Sequence, residues 1–382
     1  MSRLTKAEEN HSVSSLELFF DLVFVFAITQ VTAFIAADPT GGGALRGLLL
    51  LCLVYFSWVA YSWLGTSTRV DDPAPTAAML AALGAMFVVA ILMPQWFAGG
   101  VWALVAVCCY IGVRALHLLL FRMLGSDSPE LRRATARLAM STGAAAVLLL
   151  AGAVVGGTVE LVLVVAAVLI DPIGAFVGGG RGWYLAADHF AERHGLIVII
   201  AIGESLIAVG LAITGTELSA QLLVLGLLGA AVAALIYLLY FRRTAEGLEE
   251  ALAAASGPAQ ARLGRDAYSY GHLLLLGGII AMALALKKSA LTVADDGLAG
   301  HLHGIAGPVL ATAGLLIVGG VLLIRLRAGL GVTPMLAVGM LVVIGAGLLA
   351  TVLPVGAVVL LAIVGLAMAT LPRGNTAEFS AG

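Results

Sequence analysis

Two stretches of this chain place ionisable side chains in or against long apolar runs. In L-E-L-F-F-D-L-V-F-V-F-A (Leu16 to Ala27), Glu17 and Asp21 are four residues apart. On a helix they share one face, about 6 Å apart along the axis. In D-H-F-A-E-R-H-G (Asp188 to Gly195), Asp188, His189, Glu192, Arg193 and His194 crowd the start of a second apolar run, and Glu204 follows ten residues after His194. That spacing puts Glu204 about 15 Å deeper along a helix. A third pair, Arg114 and His117, lies three residues apart inside another run. Charge at such depth is costly, so these groups are expected to face a protein interior, a partner or a water path, where they could pass protons or coordinate a cation. Glu17 also fits a helix-capping role; Asp21, a turn further in, does not. Arg114 is expected either to neutralise Asp21 or Glu17 or to snorkel to the interface.

The elements that must position these groups follow from composition. Of 382 residues, 61% are hydrophobic and 11% charged, with a mean hydropathy of +1.08. Such values belong to a polytopic membrane protein. A bilayer core of about 30 Å needs about 20 helical residues, which divides the chain into about twelve expected spans: 16–36, 47–64, 76–93, 101–121, 135–155, 159–177, 194–213, 220–241, 268–286, 304–324, 333–350 and 352–371. The divisions at Gly156-Gly157 and at Thr351 to Pro354 are the shortest, and the last two spans could form a re-entrant pair. The runs are continuously apolar without ten-residue alternation, so the expected fold is an all-α transmembrane bundle and not a barrel. Residues 1–15 and 372–382 are expected tails, and the charged first and seventh spans suggest two parallel six-helix halves, 16–177 and 194–371.

With twelve spans, sixteen Lys and Arg residues fall on the amino-terminal side and three, Arg46, Lys287 and Lys288, on the other. Both termini are therefore expected in the cytoplasm, with the chain in the cytoplasmic membrane. The amino terminus lacks the apolar core and cleavage site of a signal peptide. Cys52, Cys108 and Cys109 fall within spans and offer no disulfide framework. The stretch from Thr244 to Pro258 reads as a short helix stopped by Gly257-Pro258, and Asp171-Pro172 as a kink.

Several chemistries find no support. H-F-A-E-R-H lacks the zinc-protease order, and no phosphate-binding loop, nucleophile elbow or basic nucleic-acid arm occurs. The expectation is accordingly no enzyme, no metal and no cofactor. The expected partners are the lipid bilayer and a small solute or ion, with self-association left open.

L-E-L-F-F-D-L-V-F-V-F-A-I-T-Q (Leu16 to Gln30) and W-Y-L-A-A-D-H-F-A-E-R-H-G-L-I-V-I-I-A-I-G-E-S (Trp183 to Ser205) closely resemble the bacterial low temperature requirement protein A family, with weaker likeness at Trp58, at Tyr61 to Leu64 and at Gly178 to Gly182. Gly65 departs from the polar residue common after the second-span tryptophan, and Gly178 to Gly182 lacks the usual proline. The resemblance implies functional roles for Glu17, Asp21, His189, Glu192, Arg193, His194, Gly203, Glu204 and Ser205; it supplies a fold but no reaction. The favoured function is a secondary transporter or permease-like protein, with proton coupling through Glu17, Asp21, Glu204 and the histidines. The alternatives are a channel lined by spans 1 and 7, since L-F-F-D resembles the first-helix signature of lysosomal-type potassium channels, or a membrane enzyme or signalling component. The polar groups of spans 1 and 7 are expected to share one cavity with Glu204 at its deep end.

Overall fold

The computed structural model describes residues 13–66, 72–124, 128–177 and 180–371. The expected tails are largely outside this set, as are Arg3, Lys6, Arg69, Gly178 and Arg373. Among the described residues the chain is all helix: α1 Ser15–Ala37, α2 Gly41–Gly65, α3 Pro73–Leu92, α4 Gly100–Leu124, α5 Pro129–Val155, α6 Gly157–Ile170, α7 Ile173–Val177, α8 Ala187–Thr214, α9 Ala220–Tyr240, α10 Glu246–Ala254, α11 Gly257–Leu263, α12 His272–Asp296, α13 Ala306–Arg327, α14 Pro334–Leu348 and α15 Val355–Ala369. Among the described residues, ten helical segments are long and apolar enough to cross a membrane. This is a multi-pass membrane protein. The two remaining apolar helices, α14 and α15, have 15 residues each and reach only about 22 Å at 1.5 Å per residue, short of a 30 Å core.

Local chemistry sets the helix ends. Ser14 opens α1 with a capping box: its hydroxyl accepts from Glu17 N, and Glu17 Oε2 accepts from Ser14 N. Thr40, Ser128 and Ser219 cap α2, α5 and α9 in the same way on one side. The division between α5 and α6 falls where the sequence places it, because Gly156 and Gly157 both take positive φ, 73° and 65°. Gly156 is thus a turn residue.

The short helix expected between Thr244 and Pro258 is present as α10, with its stop at Gly257-Pro258, and the residues expected as connections at 259–267 and after Leu286 are helical as well. The stretch 242–267 is helical nearly throughout, broken where Gly257 takes φ 54° and Pro258 starts α11. One helical stretch then runs from Gly257 through α12 to Asp296, so Lys287 and Lys288 lie in a helix and not in a loop. No proline lies between 272 and 296, and α12 carries Gly277 and Gly278 within it; the stop comes at Gly297, φ 69°.

Packing separates two compact units that interleave in sequence: Met1–Ile200 with Glu249–Leu273, and Ala201–Leu248 with Leu274–Gly382. In the second, glycines let helix backbones touch. Gly347 meets Gly307 O and Ala311 N, and Gly339 meets Gly365 O, so α13, α14 and α15 lie too close for any Cβ at these positions. In the first unit, buried polar and aromatic side chains occupy the interior.

Candidate functional site

The first unit holds two buried polar centres. One is built by α1 and α8. Their i, i+4 spacing brings Glu17 and Asp21 to the inner face of α1 and His189 and Arg193 to that of α8, and all four are almost fully buried. Arg193 bridges the two acids, Nη2 to Asp21 Oδ1 at 2.5 Å and Nη1 to Glu17 Oε1 at 3.4 Å. His189 Nε2 lies 3.1 Å from Glu17 Oε2. Asp21 Oδ1 also accepts from Trp58 Nε1 at 2.8 Å, whereas Asp21 Oδ2 is buried without a hydrogen-bond partner among the described residues. Arg193 Nη1 donates further to Tyr61 O, and its guanidinium stands 5.6 Å from the Trp58 ring. Glu17 is therefore helix cap and ion-pair partner together.

Gly65 is the residue this quartet requires. A Cβ there would run into Glu17 Oε1 and press on His189. The departure noted in the sequence is thus a close approach to the site.

Beside the quartet lies a histidine and aromatic layer. The buried His194 ring, its Nδ1 2.9 Å from Phe190 O, packs edge-on against Trp58, Tyr268 and His272 at 4.9 to 5.0 Å. Tyr268 and His272 come from the wide turns at Gly264–Gly271 and the start of α12. Such π-helical turns recur at functional sites.

The second centre pairs Arg114 with Asp171, not with Asp21 or Glu17. Arg114 Nη2 lies 2.9 and 3.0 Å from the two carboxylate oxygens, Thr142 Oγ1 donates to Asp171 Oδ1 at 2.6 Å, and Arg114 Nη1 donates to Phe56 O at 3.2 Å. The Asp171-Pro172 step does end α6, but its Asp171 carbonyl is taken by Ser141 Oγ at 2.9 Å and its carboxylate is the counter-charge of Arg114. A cavity of about 100 Å³ opens here, walled by Phe56, Trp63, Phe121, Trp183 and Tyr270 and reached by Arg114, His117, Asp171 and Arg265. It has room for about three waters or one small solute. Arg265 is neutralised by Asp266 at 2.7 Å and stacks 4.2 Å over Phe176. Tyr61 joins the two centres: its ring packs against His117 at 5.6 Å, while its carbonyl holds Arg193.

The remaining sequence candidates take no part in these contacts. Asp188 and Glu192 are on the exposed side of α8, where Glu192 accepts from Val13 N at 3.1 Å. Glu204 and Ser205 belong to the second unit. Glu204 is half-buried and makes no hydrogen bond or ion pair with a described residue; Ser205 donates to Ala201 O at 2.9 Å. Neither Glu204 nor Glu17 or Asp21 lines the 100 Å³ cavity, so the expected shared cavity is not the one present in the first unit. Asp171, Tyr268, Tyr270 and His272 were not among the expected site residues. The signal was there: R-D-A-Y-S-Y-G-H (Arg265 to His272) enters an apolar run as densely polar as D-H-F-A-E-R-H.

No solved structure matches the chain. An uncharacterized protein of Rhizobium meliloti (strain 1021) is 26% identical over 318 residues, covering 78% of this chain and 75% of that protein. The pattern of the bacterial low temperature requirement A (LtrA) proteins matches residues 12–370, so the helices that carry both buried centres lie inside it, and the chain belongs to that family.

Proposed function

We propose that the protein is a proton-coupled secondary transporter for a small solute or ion and has no enzymatic role. The observation that carries this reading is the charge balance of the quartet. Glu17 and Asp21 bring two negative charges, Arg193 brings one positive charge, and all three are sealed from solvent. A net charge buried in a low-dielectric interior is unfavourable, so one more proton belongs there. His189 beside Glu17 Oε2 and the unpartnered Asp21 Oδ2 are the two places it can reside. A site that holds one exchangeable proton, joined through Tyr61 to a solute-sized cavity, has the parts that coupling needs.

The cavity supports a small polar solute with an apolar side. Its two arginines are each offset by an aspartate, so it carries polar hydrogen-bonding groups without a large excess of charge. In this reading the chain lies in the cytoplasmic membrane with both termini inside, supported by the sixteen-to-three distribution of basic residues. Single cysteines at Glu130 and Glu250 should react with impermeant reagents only from the cytoplasm; labelling from outside intact cells would overturn the orientation.

Flux into proteoliposomes tests the function, with a panel of ions and metabolites and with or without a pH gradient. Gradient-driven uptake that Glu17→Gln abolishes, while downhill exchange persists, is the expected result. Passive ion-selective current would identify a channel. Silence across the panel would point to a membrane signalling or enzymatic component.

A further inference from the structure

The second unit contains a cavity of about 290 Å³ that the proposed transport reading does not use. It lies where α9 and α13 end and α14 begins, and Arg242, Arg243, Arg325 and Thr333 line it together with Leu371, just beyond α15. We infer that this cavity binds a phosphate-type anion, supplied either by an anionic lipid headgroup or by a soluble phosphate compound.

Four observations converge on that chemistry. Arg325 is held by backbone carbonyls: its guanidinium donates to Gly331 O, from Nε at 2.9 Å and also from Nη2, and to Arg243 O. These carbonyls fix the side chain at the rim of the cavity. Arg243 donates from Nε to Thr370 O at 2.8 Å, which orients its fork and leaves both Nη groups without a partner among the described residues. Arg242 is exposed and makes no hydrogen bond or ion pair with any described residue. Thr333 is the N-cap of the 15-residue α14, yet its side chain makes no cap hydrogen bond, and Pro334 occupies the first helical position. The hydroxyl and the positive end of the helix dipole are thus available to an anion. The bias of basic residues to one face accounts for arginines at these helix ends, but not for three of them around one cavity. Arginine forks match phosphate oxygens bidentately, and each basic residue near an anionic membrane surface adds about a tenfold attraction or less.

The test uses the full chain in neutral detergent, with binding followed by native mass spectrometry and by thermal shift. The probes are phosphatidylglycerol, phosphatidylcholine and inorganic phosphate. The expected result is that phosphatidylglycerol binds in preference to phosphatidylcholine, that the double variant Arg242→Gln/Arg243→Gln weakens this by about tenfold or more, and that Arg242→Lys/Arg243→Lys retains most of it. Both positions are exposed, so the variants should fold; an unchanged melting temperature without lipid verifies this. Phosphatidylglycerol that millimolar inorganic phosphate does not displace identifies a lipid headgroup, whereas displacement identifies a soluble phosphate ligand. Equal binding of phosphatidylglycerol by wild type and the glutamine variant, or equal binding of both lipids, would overturn the site. Thr333→Val should weaken binding by a smaller factor.

Discussion

The two units solve helix association in opposite ways. In the first, α1, α2, α4, α5 and α8 meet through buried ion pairs, indole and tyrosine contacts and histidine rings: Arg193 with Glu17 and Asp21, and Arg114 with Asp171. In the second, α13, α14 and α15 meet through glycine backbones, with Gly307 against Gly347 and Gly339 against Gly365. Lipid gives little hydrophobic reason for helices to associate, so either hydrogen-bonded polar groups or close van der Waals contact must hold them. Close packing is the simpler way to hold helices, and buried charge is the expensive one. That the first unit carries the expense argues that its charges serve more than cohesion.

Removing Arg193 should break this arrangement most severely. Arg193→Ala leaves two carboxylates buried with no guanidinium, a loss of about 3–5 kcal/mol. A large fall in melting temperature and in monodisperse yield is expected. A variant as stable as wild type would show that the quartet is not closed in the way described. The Arg114 and Asp171 pair should behave as a coupled unit. Arg114→Met or Asp171→Leu alone should each cost about 3 kcal/mol or more, while the double variant, with no orphaned charge, should recover much of that loss. Additive losses in a double-mutant cycle would contradict direct pairing.

In the second unit, sensitivity should follow volume and not charge. Gly339→Leu forces a side chain into Gly365 O and Ala369, with an expected cost of about 1–3 kcal/mol measured by thermal unfolding in detergent. At the low end, Glu204→Gln should change stability by about 0.5 kcal/mol or less, because Glu204 has no hydrogen-bond or ion-pair partner among the described residues to lose. A strongly destabilised Glu204→Gln would mean that this acid is a structural lock.

The sequence showed the first unit's quartet more clearly than anything else. Glu17, Asp21, His189 and Arg193 are all legible because ionisable residues stand out in apolar runs, and the i, i+4 period assigns them to single faces. Which charge meets which was not legible. Arg114 had two acids of equal merit in span 1, and its true partner, Asp171, was masked by the proline after it, which accounted for the residue as a kink. The contribution of Tyr268 and His272 is hidden for another reason: the short helix expected within Thr244 to Pro258 and its stop at Gly257-Pro258 are present, but the rest of the expected connection, 259–267, is helical too and continues into α12. Hydropathy reports what lipid tolerates, not where a helix ends; α12 runs past Lys287 and Lys288 because no glycine intervenes before Gly297. Likewise the last two apolar windows are expected as spans or as a re-entrant pair; Pro334 starts α14 and Pro354 caps α15, each a helix of only 15 residues.

The central claim is that the two acids and one arginine of the quartet retain one exchangeable proton, and infrared difference spectroscopy of the reconstituted protein tests it without knowledge of the solute. Beyond the changes of the other titratable groups, which wild type and variant share, the pH-difference spectrum of the wild type should show a carboxyl or imidazole protonation change belonging to the quartet. Glu17→Gln leaves one acid against one arginine, already balanced, so that signal should disappear while the helical amide bands stay unchanged. A wild type with no such protonation change, or a Glu17→Gln spectrum identical to wild type, would contradict the account and make the quartet a purely structural clasp.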